Sequence, residues 1–200
     1  MLDWARAQFP AAPIGLVGHS IGGQLVGMLD DFTGIDTVCT VAAQHGYWRR
    51  YPLGQALQFW LLWTVIVPIV TALWGYFPTK KLKLGEDLPT GVARGWARSC
   101  KSKHYLVDGR GRPIRRGFEA FTGHVRAYCL ADDRIAPRGQ VAAYHAYYQR
   151  AEVELVELAP ATYQQRAIGH IGFFAPKLKA TLWREHAAWW AARSAAAAAA

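Results

Sequence analysis

The chain has 200 residues, 52% of them hydrophobic and 18% charged, which is enough apolar surface for one sizeable core and excludes a disordered chain. Its formal net charge of +9 is regional: residues 78–116 hold eleven Lys or Arg against Glu86, Asp87 and Asp108, with no recognisable nucleic-acid motif, so no nucleic-acid partner is expected. Cys39, Cys100 and Cys129 have neither paired nor metal-like spacing, which argues against a disulfide framework and a metal site and fits a reducing cytoplasm.

In chain order, Met1 to Arg6 lack the basic-then-apolar pattern of a secretory signal. Ile14-Gly15-Leu16-Val17, after the breaker Pro13, predicts a short strand, and Gly22 to Leu29 predicts a helix. Between them, Gly18-His19-Ser20-Ile21-Gly22 falls on a strand-to-helix turn. Ile35 to Ala43 is β-rich and mostly apolar, as a strand covered on both faces should be. Val125 to Leu130 predicts a third strand, and the alternating, charged run Val153 to Leu158 a fourth at a sheet edge. Helices are expected over Gln140 to Ala151 and Lys177 to Arg193, and Ser194 with Ala195 to Ala200 predicts a frayed helical tail. Strands alternating with helices imply an α/β architecture of about four parallel strands with right-handed crossovers.

Roughly eighty residues separate the second and third strands, far more than a crossover needs. The expected organisation is therefore a core over 1–44, a cap insertion over 45–121, a second core segment over 122–194 and an alanine tail over 195–200. The insertion opens with an uncharged stretch, Tyr51 to Thr79, whose centre from Phe59 to Val70 is very apolar. Its length would span a bilayer, but Pro68 falls mid-run, and a single crossing would strand two adjacent strands on opposite sides. A cap helix, buried or facing lipid, is the expectation.

The chemistry rests on Gly-x-Ser-x-Gly. A nucleophile on so sharp a turn needs neighbours without side chains, which Gly18, Gly22 and Gly23 supply, and the amide of Ile21 at the following helix start can bind an oxyanion. A phosphate-binding loop would show longer glycine spacing or a Lys, and this turn has neither. A serine hydroxyl also requires a histidine base, itself oriented by a carboxylate. Asp132 and Asp133 follow the third strand, and Ile168-Gly169-His170-Ile171-Gly172 lies beyond the fourth. His19, adjacent to Ser20, is expected to pack beside it, and His45, after the second strand, is a candidate for lining a substrate pocket. His145 and His186 fall in helical patterns and read as packing or surface residues.

Leu16 to Gly23, Asp133-Arg134-Ile135-Ala136-Pro137 and Gly169-His170-Ile171-Gly172 together resemble the α/β-hydrolase superfamily. Within it they are most similar to bacterial predicted hydrolases akin to serine aminopeptidase and monoacylglycerol lipase-like proteins, whose cap segments resemble Phe77 to Pro89. The resemblance covers nearly the whole chain up to the alanine tail. It implies Ser20 as nucleophile, His170 as base and Asp133 as acid, with Asp132 the rival for that last role. It also implies about eight core strands with the nucleophile after the fifth, whereas only Met1 to Pro13 precede the first strand here. The expectation is the C-terminal part of the fold, N-terminally truncated, without the loop that supplies the second oxyanion amide; losing one such donor costs on the order of 10²- to 10³-fold in turnover.

The function these readings imply is a serine hydrolase, cytoplasmic and free of cofactor or metal, acting on a small acyl substrate. Esters are favoured over amides because Trp48, Trp60, Trp63 and Trp74 give the insertion an apolar, aromatic character. The second reading is a protein that associates with a membrane surface through the cap, or an inactive hydrolase fragment.

Overall fold

Helix α1 (Leu2–Gln8) precedes strand β1 (Ile14–His19), helix α2 (Ile21–Val26) and strand β2 (Ile35–Val41). The insertion holds α3 (Leu53–Leu61), a π-helical segment over Leu62–Ile66, α4 (Val67–Trp74), the two-residue strands β3 (Tyr76–Phe77) and β4 (Leu88–Pro89), and α5 (Thr90–Lys101). The chain then forms α6 (Arg116–Ala120), β5 (His124–Leu130), α7 (Arg138–His145), β6 (Glu152–Leu158) and α8 (Leu182–Ala199). This computed structural model describes residues 2–10, 12–81 and 85–199, with side chains described as far as Arg193. Leu82, Lys83 and Leu84 of the Phe77 to Pro89 segment, and Ala200 of the tail, lie outside the described residues.

Four strands make one parallel sheet in the order β1-β2-β5-β6, as the alternation of elements predicts. Central position explains composition: β2 lies between two neighbours, and Val38, Cys39 and Val41 are fully buried. β6 is at an edge, where its Glu residues are exposed and two of them pair with basic partners opposite on β5, Glu154 with Arg126 at 3.2 Å and Glu152 with His124 at 2.8 Å. β1 is the other edge within this sheet, and Val17 on it is 53% exposed.

Contacts divide the chain into two compact units, residues 1–45 with 115–200 and residues 46–114. The second boundary falls before α6 because Phe118 packs within the first unit, against Tyr144 and Tyr148. That unit's core is built from the inner strands and the C-terminal segments: Val41, Ala127, Leu130, Val141, Leu158, Phe173 and Leu178 all belong to it.

Helix α2 stops at Val26, short of the expected Leu29, and two further helices depart from their sequence patterns. The run expected to reach Ala151 ends at His145, where i→i+3 bonds from Tyr147 to Tyr144 and from Tyr148 to His145 replace helical ones and turn these tyrosines into the cluster around Phe118. The run expected from Lys177 begins only at Leu182, because Pro176 starts a separate 3₁₀ turn.

In the second unit, Pro68 does not end the apolar helix. A residue without an N–H cannot bond back to the preceding turn, and the wider π-helical turn lies directly before it, so α3, that turn and α4 run on as one helical stretch from Leu53 to Trp74. It is long and apolar enough to cross a membrane. One stripe of it is buried on α5, with Trp63 4.9 Å from Trp96 and Arg94 donating to the Thr71 hydroxyl at 2.9 Å.

Of the two readings that its helical position left open, surface or packing, His145 takes the second. It is 2% exposed, its Nδ1–H donates to the Val141 carbonyl at 2.7 Å, and its Nε2 accepts from the Thr40 hydroxyl at 2.7 Å. Burial pushes its pKa down from 6.5 to about 4. The unfolded chain then binds a proton below 6.5 that the folded one refuses until about 4, so stability is full above the first value and falls on acidification through this window. The loss is about 3 kcal/mol from this residue. Urea unfolding of His145→Gln at a series of pH values is expected to give a visibly flatter acid limb than the parent; identical slopes would remove His145 as the cause.

Candidate active site

Ser20 is the whole of the turn between β1 and α2, since β1 ends at His19 and α2 begins at Ile21. Compressing a reversal into one residue puts it at φ 48° and ψ −120°, a region that side chains disfavour. The conformation is held from both sides: the Ser20 amide donates to the Val41 carbonyl at 2.8 Å, and the Ser20 carbonyl accepts from the Gln24 amide at 3.0 Å. Ile21 is the first residue of α2, so its amide is one of the donors that a helix start leaves without an intrahelical partner.

The glycines divide in a way the motif does not announce. A Cβ on Gly18 would meet Gly23 Cα at 2.5 Å, and one on Gly23 would meet the Gly18 carbonyl oxygen at 2.9 Å and Ala43 Cβ at 2.8 Å, whereas one on Gly22 would meet nothing within 4 Å. The expectation that both flanking glycines are required for space therefore holds for Gly18 but not for Gly22; Gly23 is the second residue in the squeeze.

His170 arrives from the long loop after β6, and three backbone contacts fix it. The Asp132 carboxylate accepts from the amides of Ile168 at 2.9 Å and Gly169 at 3.0 Å, Gly169 turns with φ +64°, and the His19 ring Nε2–H donates to the His170 carbonyl at 2.8 Å. His19 also packs on Phe174, with ring centroids 5.4 Å apart. Burial lowers its pKa, with the nearby His170 acting in the same direction against the bond to the His170 carbonyl. It is thus a neutral donor that pins the His170 backbone.

The side chain of Asp133, 1% exposed, is committed on both oxygens: Oδ1 accepts from the amides of Ile135 at 2.8 Å and Ala136 at 3.1 Å, and Oδ2 lies 2.6 Å from His170 Nδ1. His170 Nε2 lies 2.9 Å from Ser20 Oγ. The carboxylate fixes the tautomer, because Nδ1 must carry the hydrogen that Oδ2 accepts, which leaves the Nε2 lone pair facing the hydroxyl. A hydroxyl, an imidazole and a carboxylate in this order can move a proton from Ser20 to His170 while Asp133 stabilises the resulting imidazolium.

The remaining histidines take no part in the line from Ser20 to Asp133. His45 is 3% exposed, with its ring 5.9 Å from Tyr147. His186 sits 3.2 Å from the Tyr128 hydroxyl and 4.0 Å from Cys39 Sγ, and burial lowers its pKa. Cys39, Cys100 and Cys129 are free and buried, with burial raising the Cys39 thiol to about 12, so none is an activated thiolate. Among the described residues no group of three or more His, Cys, Asp or Glu is placed to hold a metal ion.

Sequence reasoning missed the support beneath the elbow. Gln24 is fully buried in α2 and donates from its amide to the Gln44 carbonyl at 2.9 Å and to the Gln44 side chain at 3.0 Å, while the Tyr144 hydroxyl donates to the Gln24 carbonyl at 2.8 Å. The one available signal is a polar residue among apolar positions of the α2 pattern.

No protein-family model and no curated protein sequence matches the chain. Solved structures do. The monoacylglycerol lipase of Paleococcus ferrophilus is similar at 14% identity and a TM-score of 0.52, over 94% of this chain and 71% of the lipase. Est1E from Butyrivibrio proteoclasticus is similar at 14% identity and a TM-score of 0.53, over 98% of this chain and 66% of Est1E. The chain thus spans about two thirds of each of these proteins. With its four parallel strands, crossing helices and helical insertion after β2, the chain has the α/β-hydrolase fold, in the part of it that forms the C-terminal region of such proteins.

Proposed function

We propose that the chain is a serine hydrolase that cleaves carboxylic esters of a small acyl substrate without a cofactor. The observation that carries this is the continuous line from Ser20 through His170 to Asp133, with contacts of 2.9 and 2.6 Å. Ser20 Oγ attacks the carbonyl carbon as His170 Nε2 takes its proton, and the carbonyl oxygen becomes an oxyanion that the Ile21 amide receives. Collapse breaks the bond to the leaving alcohol, which takes the proton from His170 and leaves an acyl group on Ser20. A water molecule, deprotonated by His170, then attacks that acyl group and restores the serine.

Support for the ester class comes from the fold shared with a monoacylglycerol lipase and from the apolar, aromatic insertion. His19 and His45 are assigned to the substrate side of the site, His19 through its hold on His170 and its neighbour Phe174. A cytoplasmic location belongs to the same proposal.

The test is covalent. A fluorophosphonate is expected to label the folded chain at one site, Ser20, and Ser20→Ala is expected to abolish the label while leaving the circular dichroism unchanged. Folded parent protein that takes no label would overturn the reading.

A further inference from the structure

The apolar stretch of the second unit has a face that its own unit does not use. The buried stripe of Ala56, Trp63, Val67 and Thr71 is packed, but Leu53, Leu57, Leu61, Ile66, Ile69 and Leu73 are all exposed, Leu53 at 77% and Leu73 at 75%. From Tyr51 to Thr79 there is no charged residue, and the charges at both ends are basic: Arg49 and Arg50 before it, Lys80 and Lys81 after it. Each end also sets a cation on an indole ring, Arg49 over Trp48 at 4.9 Å and Lys81 over Trp74 at 5.5 Å.

We infer that this face docks on the surface of a membrane containing anionic lipid, with the helical stretch lying in the plane of the bilayer. The exposed face is mostly aliphatic, with Gln58 and Trp60 also on it, and such a face suits a fluid partner that needs no shaped pocket. Tryptophan and basic residues at the ends match the interfacial zone, where rings with one polar edge settle and cations meet lipid phosphate. The stretch lies flat because its other side is occupied: Arg94, on α5, donates to Thr71 within the stretch at 2.9 Å, so a crossing would carry a guanidinium into hydrocarbon. At about 1.5 Å per residue its 22 residues form an apolar strip some 33 Å long. Lys80 pairs loosely with Glu86 at 3.5 Å, both exposed, and the screening of such pairs leaves its charge for the lipid.

Flotation of the whole chain with phosphatidylcholine vesicles, with and without phosphatidylglycerol, tests this. Binding is expected to require phosphatidylglycerol and to weaken as salt is raised. Leu57→Asp combined with Ile69→Asp, checked for folding by circular dichroism, should weaken binding at least about tenfold, since burying each leucine or isoleucine is worth more than that ratio. Lys80→Glu with Lys81→Glu should remove the preference for the anionic lipid. Spin labels introduced through Leu57→Cys and Ile69→Cys should report the same shallow depth, a measurement that stands even where the Asp pair fails to fold. Ser20→Ala should float as the parent does, which keeps this result separate from that of the hydrolase reading. Failure to float, binding indifferent to the Asp pair, labels at depths that differ by much of the bilayer, or a dimer in ultracentrifugation that the Asp pair dissolves without any flotation would each overturn it.

Discussion

Asp133→Asn is expected to lower kcat for an activated ester by about 10⁴-fold, the loss typical of a triad left with its histidine in the wrong tautomer. The geometry dictates this outcome. Oδ1 of Asp133 accepts two backbone amides, from Ile135 and Ala136, so an asparagine must place its carbonyl oxygen there. Its NH₂ then takes the place of Oδ2, 2.6 Å from His170 Nδ1, and presents a donor where the aspartate presents an acceptor. Nδ1 must accept, Nε2 must carry the hydrogen, and the ring no longer offers Ser20 a lone pair. Asp132→Asn keeps one oxygen for the amides of Ile168 and Gly169 and does not touch the ring, so its loss should stay within about tenfold. Steady-state rates of the two variants decide between the adjacent carboxylates, and equal losses would mean that Asp133 is not the acid.

That comparison marks where the sequence stops being informative. Strand, turn, helix and the order serine, aspartate, histidine were legible because each depends on local composition: an apolar run, a glycine turn, a breaker. The edge position of β6 was legible from its alternating glutamates, and the insertion from an interval too long for a crossover. Which of Asp132 and Asp133 meets the ring depends on where the loop after β6 returns, a separation of 37 residues that no period encodes. Family likeness favoured Asp133; the residues alone left both open, and Asp132 turned out to cap the amides beside His170. The early end of α7 escaped for a similar reason, since tertiary packing of Tyr147 and Tyr148 outweighs helical propensity, whereas the late start of α8 was written locally, in Pro176. Helix α1 was not anticipated, and the face of the apolar stretch that points outward is set by its partner α5, a contact beyond the reach of any period.

The glycines of the elbow show the same limit in a form that stability measurements can read. Neither Gly18, Gly22 nor Gly23 has a positive φ; the strained backbone belongs to Ser20 itself, at φ 48°. What the glycines supply is space, and only two of them supply it. A methyl on Gly18 would lie 2.5 Å from Gly23 Cα and 2.7 Å from its nitrogen, backbone atoms that can retreat only if α2 moves off β1. Gly18→Ala is therefore expected to cost about 2–3 kcal/mol, at the upper end of overpacking, and to abolish fluorophosphonate labelling, because Ser20 and the Ile21 amide move with α2. Gly23→Ala meets the Gly18 carbonyl and Ala43 and should behave alike. Gly22→Ala meets nothing, sits inside α2, and gains the helix propensity of alanine over glycine, so it should stabilise the chain by up to about 1 kcal/mol and keep its label. Urea unfolding and labelling of the three variants side by side would show opposite signs for the two glycines of one motif; a Gly22→Ala variant as damaged as Gly18→Ala would mean that the elbow demands backbone freedom at both flanks and that contact with Gly23 is not what constrains it.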